Sequence, residues 1–119
     1  MVKYDDELDA IFMALSHPAR RAMLARLGEG EATVGELARP LDMSLPAVTK
    51  HLKVMEKAKL ISRSRHAQWR TCRLQEAPLN TASVWIEEQR QVWESRLDRL
   101  EVYLHDMEQE KGSNDGHAR

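Results

Sequence analysis

The chain has 119 residues, 42% of them hydrophobic and 31% charged, with six aromatics and a formal net charge of −1 at pH 7. That length holds one domain with a modest core, and the composition suits a helical protein. No run of about eighteen apolar residues is present, which excludes a membrane span. The start "MVKYDDELDA" has no apolar signal region, so export is not expected. The single cysteine, Cys72, excludes an internal disulfide and fits a reducing cytoplasm.

Leu8, Ile11, Phe12 and Leu15 have helical spacing behind a cap at Asp5 or Asp6. "SHPARRAMLARLGEG" predicts a second helix, with Ser16 as its cap, Pro18 in the first turn and Gly28 or Gly30 at its end. "TVGELARPLDM" opens on Thr33 and Glu36, a capping box, and the helix is short because Pro40 cannot continue it. Ser44 then caps a further helix, with Pro46 tolerated in its first turn. Two short helices joined by a turn, over 33–57, describe a helix-turn-helix. After Leu60 the period changes from 3.6 to 2. "LISRSR" and "QWRTCRL" alternate about "HA", which predicts a β-hairpin over 60–74 with Leu60, Cys72 and Leu74 facing inward and Arg63, Arg65 and Arg73 projecting. A hairpin on a helix-turn-helix is a wing.

A single long helix is expected over 78–108, and a polar, disordered tail over 111–119. The helix would be about 45 Å long at roughly 1.5 Å per residue. Trp93, Leu97, Leu100, Leu104 and Met107 alternate by four and three along it, a coiled-coil-like seam that needs a partner chain. The fold expected is therefore mainly α with a small β-hairpin: one winged helix-turn-helix domain over 1–110, paired as a homodimer through its long terminal helix.

The near-neutral total conceals where the charges sit. Residues 44–73 carry eight basic side chains and one acidic, Glu56, whereas 1–43 and 74–111 are each net acidic. A basic stripe on an acidic body is a footprint for a polyanion. Val48, Leu52 and Met55 face the core at i, i+4, i+7, so Lys50, Lys53 and Lys57 share the outer side. Such a helix fits the major groove of double-stranded DNA with its first turns at the base edges. Thr49 and Lys50 are then candidates for bonding bases, Leu45 and Ala47 for meeting thymine methyl groups, and Lys53 and Lys57 for neutralising phosphates.

The stretches "ALSHPARRAMLARL", "MSLPAVTKHLKVMEKAKLISRSR" and "RTCRL", with the order of helices, resemble the ArsR/SmtB winged helix-turn-helix repressors over residues 8–107. The resemblance implies a cytoplasmic, homodimeric repressor, nucleoid-associated when bound to a two-fold operator. It implies DNA contacts at Ser44, Ala47, Thr49, Lys50 and His51 on the helix and at Arg63 and Arg65 in the wing. Relatives commonly have glycine and arginine at the wing tip, where this chain has Ala67 and Gln68.

The ligand sets of that family's metal sensors do not match. "TVGELAR" holds no cysteine pair, and placing His105 and Glu108 on one half of the terminal-helix site puts Val92 and Glu94 on the other, where valine cannot ligate. Zinc needs about four ligands, so no metal and no cofactor is expected. No nucleophile has a base and an orienting partner, and no glycine-rich loop follows a strand, so the chain is not expected to be an enzyme. Two alternatives stand beside a self-regulating repressor that ignores metals. One is a winged-helix protein–protein adaptor without DNA binding; the other is a repressor released by a small molecule or a redox signal, the effector being unknown.

Overall fold

The computed structural model describes the backbone of residues 5–66 and 68–117 and the side chains of residues 5–65 and 68–111. The chain divides into two compact units, Met1–Ser83 and Val84–Arg119.

In the first unit, α1 (Asp6–Leu15) begins where the Asp5 carboxylate accepts from the Leu8 amide at 3.0 Å. Three acids in its first turn favour that end through the helix dipole. α2 (Pro18–Leu27) is capped by His17, whose Nδ1 accepts from the Ala19 amide at 3.0 Å, and not by Ser16 as expected. Ser16 instead closes α1: its hydroxyl donates to the Met13 carbonyl at 2.6 Å. Pro18 supplies the reason, since a proline at the first helical position leaves the residue just before it, His17, as the cap.

The capping box forms as expected. The Glu36 amide donates to Thr33 Oγ1 at 3.1 Å and the Thr33 amide to Glu36 Oε1 at 3.2 Å. The Thr33 amide and then its hydroxyl hold the Glu36 carboxyl below its ordinary value. α3 (Val34–Ala38) passes into a 3-10 turn over Arg39–Leu41, and Asp42 reverses the chain in the left-handed region at φ 51. α4 (Leu45–Lys57) starts at Ser44, whose Oγ accepts from the Ala47 amide at 3.3 Å. It buries Val48, Leu52 and Met55 completely, each worth about 1.5–3 kcal/mol relative to exposure. With Ile11, Met23, Leu37, Leu60 and Cys72 these three form the centre of the core.

α4 ends in a Schellman closure. The Leu60 amide donates to Met55 O at 3.0 Å and the Lys59 amide to Glu56 O at 2.8 Å, with Lys59 left-handed at φ 59. β2 (Ile61–His66) and β3 (Trp69–Leu74) pair antiparallel, with Ile61 opposite Leu74 and Arg63 opposite Cys72. A third strand, β1 (Ala32–Thr33), was not expected. It pairs with β3, giving the order β1-β3-β2. Two residues running straight into a capping box are too few to show a period of two. The inward face of β2 also differs from the expectation. Leu60 is buried but belongs to the helix closure, so the strand's inner face starts at Ile61 and includes Arg63. Ala67, at the expected tip of the wing, lies outside the described residues.

α5 runs Ala77–His117. Its first turns, with Ala82 buried, belong to the first unit. In the second unit every described side chain from Val84 to Lys111 is exposed. The helix passes the expected end at Glu108 and continues through residues expected as a disordered tail. No proline interrupts it after Pro78, and the helix outruns the apolar seam, which stops at Met107. Among the described residues no helix is long and apolar enough to cross a membrane.

Candidate nucleic-acid interface

α4 carries the candidate residues on a single frame. Ser44 caps it, Leu45 is 56% exposed in its first turn, Ala47 and Thr49 are half-buried, and Lys50, Lys53 and Lys57 are exposed. The buried triad Val48, Leu52 and Met55 fixes which way this face points, so the lysines have no route into the core.

His51 is half-buried and turned toward α2. Its Nδ1 lies 3.1 Å from Nη1 of Arg20, and its ring centroid is 4.5 Å from that of His17, the planes tilted by 48°. Burial, then the neighbouring His17 and Arg20, hold His51 below the ordinary histidine value. Arg20 was not foreseen as part of this region. It is the one buried charged side chain among the described residues, and it also donates from Nε to Ala14 O and from Nη2 to Met13 O, both at 2.8 Å. It thereby caps α1 and reaches α4 at once. The sequence does hold a signal for it: Arg20, Met23, Leu24 and Leu27 have the i, i+3, i+4, i+7 spacing of an inner face, with arginine in the first place.

The wing separates its arginines into two kinds. Arg63 points back to α4, where Nε donates to Glu56 Oε1 at 2.9 Å, and its Nη1 is buried without a partner. Arg73, on the opposite face, pairs with Glu31 at 3.0 Å. Arg65 stands directly across from Arg70, both exposed, and neither has an ion-pair partner among the described residues. Like charges at directly opposed strand positions repel, and a bound polyanion relieves that repulsion. Arg70, and the exposed Trp69 beside it, were not among the expected contact residues.

Cys72 is fully buried opposite Arg63, and burial pushes its thiol above the ordinary range. A thiol so placed reacts slowly with oxidants. Among the described residues no three His, Cys, Asp or Glu side chains gather closely enough to hold a metal ion. Val92, Glu94, His105 and Glu108 all lie on α5. The seam residues Trp93, Leu97, Leu100, Leu104 and Met107 are between 41 and 64% exposed in the second unit.

Residues 15–63 match the family model described as a helix-turn-helix domain. The chain is 49% identical over 53 residues to the HTH-type transcriptional regulator Rv2034 of Mycobacterium tuberculosis, covering 44% of this chain and half of that protein's length. It is 30% identical over 79 residues to the transcriptional repressor SdpR of Bacillus subtilis, covering 66% of this chain and 88% of the repressor. Among solved structures it is similar to a crystal structure of an ArsR family transcriptional regulator, with a TM-score of 0.74 and 42% identity over 80% of this chain and 98% of that one. A helix-turn-helix with a three-stranded wing, matched across nearly the whole of two such regulators, places the chain in the ArsR family of winged helix-turn-helix transcriptional regulators.

Proposed function

We propose that this chain represses transcription in the cytoplasm by binding double-stranded DNA as a homodimer on an inverted-repeat operator, without a bound metal. The observation that carries the reading is the state of the charges between Ser44 and Arg73. The single acid there, Glu56, is spent on Arg63, and Arg73 is paired with Glu31. Lys50, Lys53, Lys57, Lys59, Arg65 and Arg70 are exposed, and none forms an ion pair among the described residues. A solvated face scatters both signs; this one is cationic along a groove-sized helix and its adjoining ribbon. The names of the Bacillus and Mycobacterium relatives support regulation and repression as the outcome of that binding.

On this reading Lys50, with Thr49, Leu45 and Ala47, reads base edges in the first turns of α4, while Lys53, Lys57 and Arg65 neutralise phosphates and Ser44 and His51 donate to the operator. Seam pairing through Trp93, Leu97, Leu100, Leu104 and Met107 would set two copies of α4 in successive major grooves about 34–36 Å apart.

Fluorescence anisotropy on a duplex selected by the protein from random DNA tests the assignment. If the dimer neutralises about 6–10 phosphates, affinity falls roughly 10³–10⁵-fold between 50 and 200 mM salt. Lys53→Ala should weaken all sequences equally and flatten the salt slope. Lys50→Ala should cost about 1–3 kcal/mol on the selected duplex and relax one symmetric base position. A flat salt response in the unmodified protein defeats the DNA reading.

A further inference from the structure

We propose that Arg20 is a positioning residue for DNA recognition: its bond to Nδ1 fixes the His51 ring as the Nε2–H tautomer, so that α4 offers the operator one fixed N–H donor at that position. The inference rests on the reading of α4 as the DNA-contacting helix.

The chemistry of the pair leaves one arrangement. A guanidinium carries N–H donors and no acceptor. At 3.1 Å from Arg20 Nη1, His51 Nδ1 therefore accepts, holds no proton, and leaves the ring's proton on Nε2. Turning the ring over would set a C–H against the guanidinium and leave that donor unpaired. Arg20 cannot yield instead, because the same side chain serves Ala14 O, Met13 O and Ser16 Oγ from a buried position. His17 restrains the ring from the side, packed 4.5 Å away, with its own Nδ1 engaged by the Ala19 amide. Nε2 of His51 has no hydrogen-bond partner among the described residues, and the ring is only half-buried. Burial beside two basic neighbours favours the neutral ring.

The donor thus lies between Lys50 and Lys53 in sequence and differs from both in kind. A neutral N–H fixed by a buried partner recognises an acceptor atom, either a phosphate oxygen or a base edge, without releasing a counterion. Its direction is set by the fold, whereas the lysine ammonium groups sit on flexible stems.

The test has two arms on the full-length protein. Side-chain ¹⁵N–¹H correlation spectra of the free protein at pH 7.5 should show His51 as the Nε2–H tautomer alone, whereas Arg20→Met should relax it to the mixture of both tautomers that a free neutral imidazole adopts. A ring protonated on Nδ1, or on both nitrogens, overturns the proposal whatever the protein binds. In the second arm, anisotropy is measured on the selected duplex and on a scrambled one. Gln places an amide N–H near the position of Nε2, and Asn places its polar atoms near Nδ1. His51→Asn should therefore weaken binding about tenfold with no change in salt slope, and His51→Gln should stay near the unmodified protein. Loss on both duplexes assigns the acceptor to phosphate; loss on the selected one alone assigns it to a base.

Arg20→Met should cost affinity with His51 present and little in the His51→Gln background, where the donor no longer depends on a tautomer. An equal cost in both backgrounds makes Arg20 a structural residue only and overturns its positioning role. If the tautomer is as stated but the unmodified protein binds neither duplex at low salt, the DNA reading has failed, and the donor's role fails with it.

Discussion

His51 joins two properties on α4: a half-buried ring and a bond to the buried Arg20. The arrangement has a consequence for stability that needs no DNA. In the unfolded chain His51 titrates near 6.5, whereas in the folded chain burial, His17 and Arg20 hold it lower. Between the two values the unfolded chain binds more protons, so stability is fully present above pH 6.5 and is lost as pH falls through the lower, folded value. The groups facing the ring are Arg20 of α2 and His17, which caps that helix, and both disfavour a second charge there. His51→Gln removes this titration and leaves the other histidines in place. The stability advantage of the unmodified protein over His51→Gln should therefore shrink as urea denaturation is repeated from pH 7.5 down to 5. An advantage that grows on acidification would mean that the ring gains its proton on folding. The histidine itself was legible in the sequence as a helix residue between two lysines, but its partner was not. Arg20 lies 31 positions away, and no local pattern says that an arginine at an inner position will turn its head toward a histidine on another helix.

At the scale of the element, the end of α4 stores strain at an ordinary residue. Lys59 occupies the left-handed position of a Schellman closure at φ 59, where a side chain with a Cβ costs about 1–2 kcal/mol. The amides of Lys59 and Leu60 satisfy the last carbonyls of the helix, so the conformation is required by the hydrogen bonds and not by the residue. Lys59→Gly should relieve the strain and give back part of the gain to the freer unfolded chain, a net stabilisation of about 0.5–1 kcal/mol. Urea denaturation should show a higher midpoint with the slope unchanged, and Lys59→Ala, which keeps the Cβ, should not reproduce it. A loss of stability in the glycine variant would show that the lysine stem contributes more by packing than its backbone costs. The same closure sets the wing's inner face one residue later than alternation from Leu60 predicts. Alternation counted from Leu60 puts Arg63 outside, but Leu60 completes the helix, and alternation from Ile61 puts Arg63 inside against Glu56. Helix caps and apolar faces were legible because each depends on residues three or four apart. The edge strand β1 and the wing's parity depend on where one element stops and the next begins, which periodicity fixes only to within a residue or two.

For the whole molecule, the question is what covers the second unit. From Val84 to Lys111 each described side chain is exposed, and the apolar ones among them are Val84, Trp85, Ile86, Val92, Trp93, Leu97, Leu100, Val102, Tyr103, Leu104 and Met107. That many large apolar side chains on one helix exceed what scattered exposure accounts for. Trp93, Leu97, Leu100, Leu104 and Met107 follow one another by four, three, four and three, a spacing that keeps them on one stripe and suits a left-handed pairing of two helices. A second copy in two-fold symmetry would supply the same stripe to the same stripe. Ion pairs from Arg90 to Glu87 and Glu94, at 3.5 and 3.2 Å, are exposed and contribute little to the helix by comparison. Leu97→Glu with Leu104→Glu puts two carboxylates per chain into the stripe without a partner for either, which a paired seam cannot tolerate. Light scattering should then report a monomer near 13.7 kDa where the unmodified protein gives twice that mass. Circular dichroism should still show a helical protein, since the core around Val48, Leu52 and Met55 lies wholly in the first unit. A monomer carries one recognition helix, so affinity for the selected duplex should fall to the level of the scrambled one while the salt slope becomes shallower. A double variant that remains a dimer would remove the seam from the interface. A monomer that binds the selected duplex with unchanged affinity would show that one copy of α4 and its wing suffices for recognition.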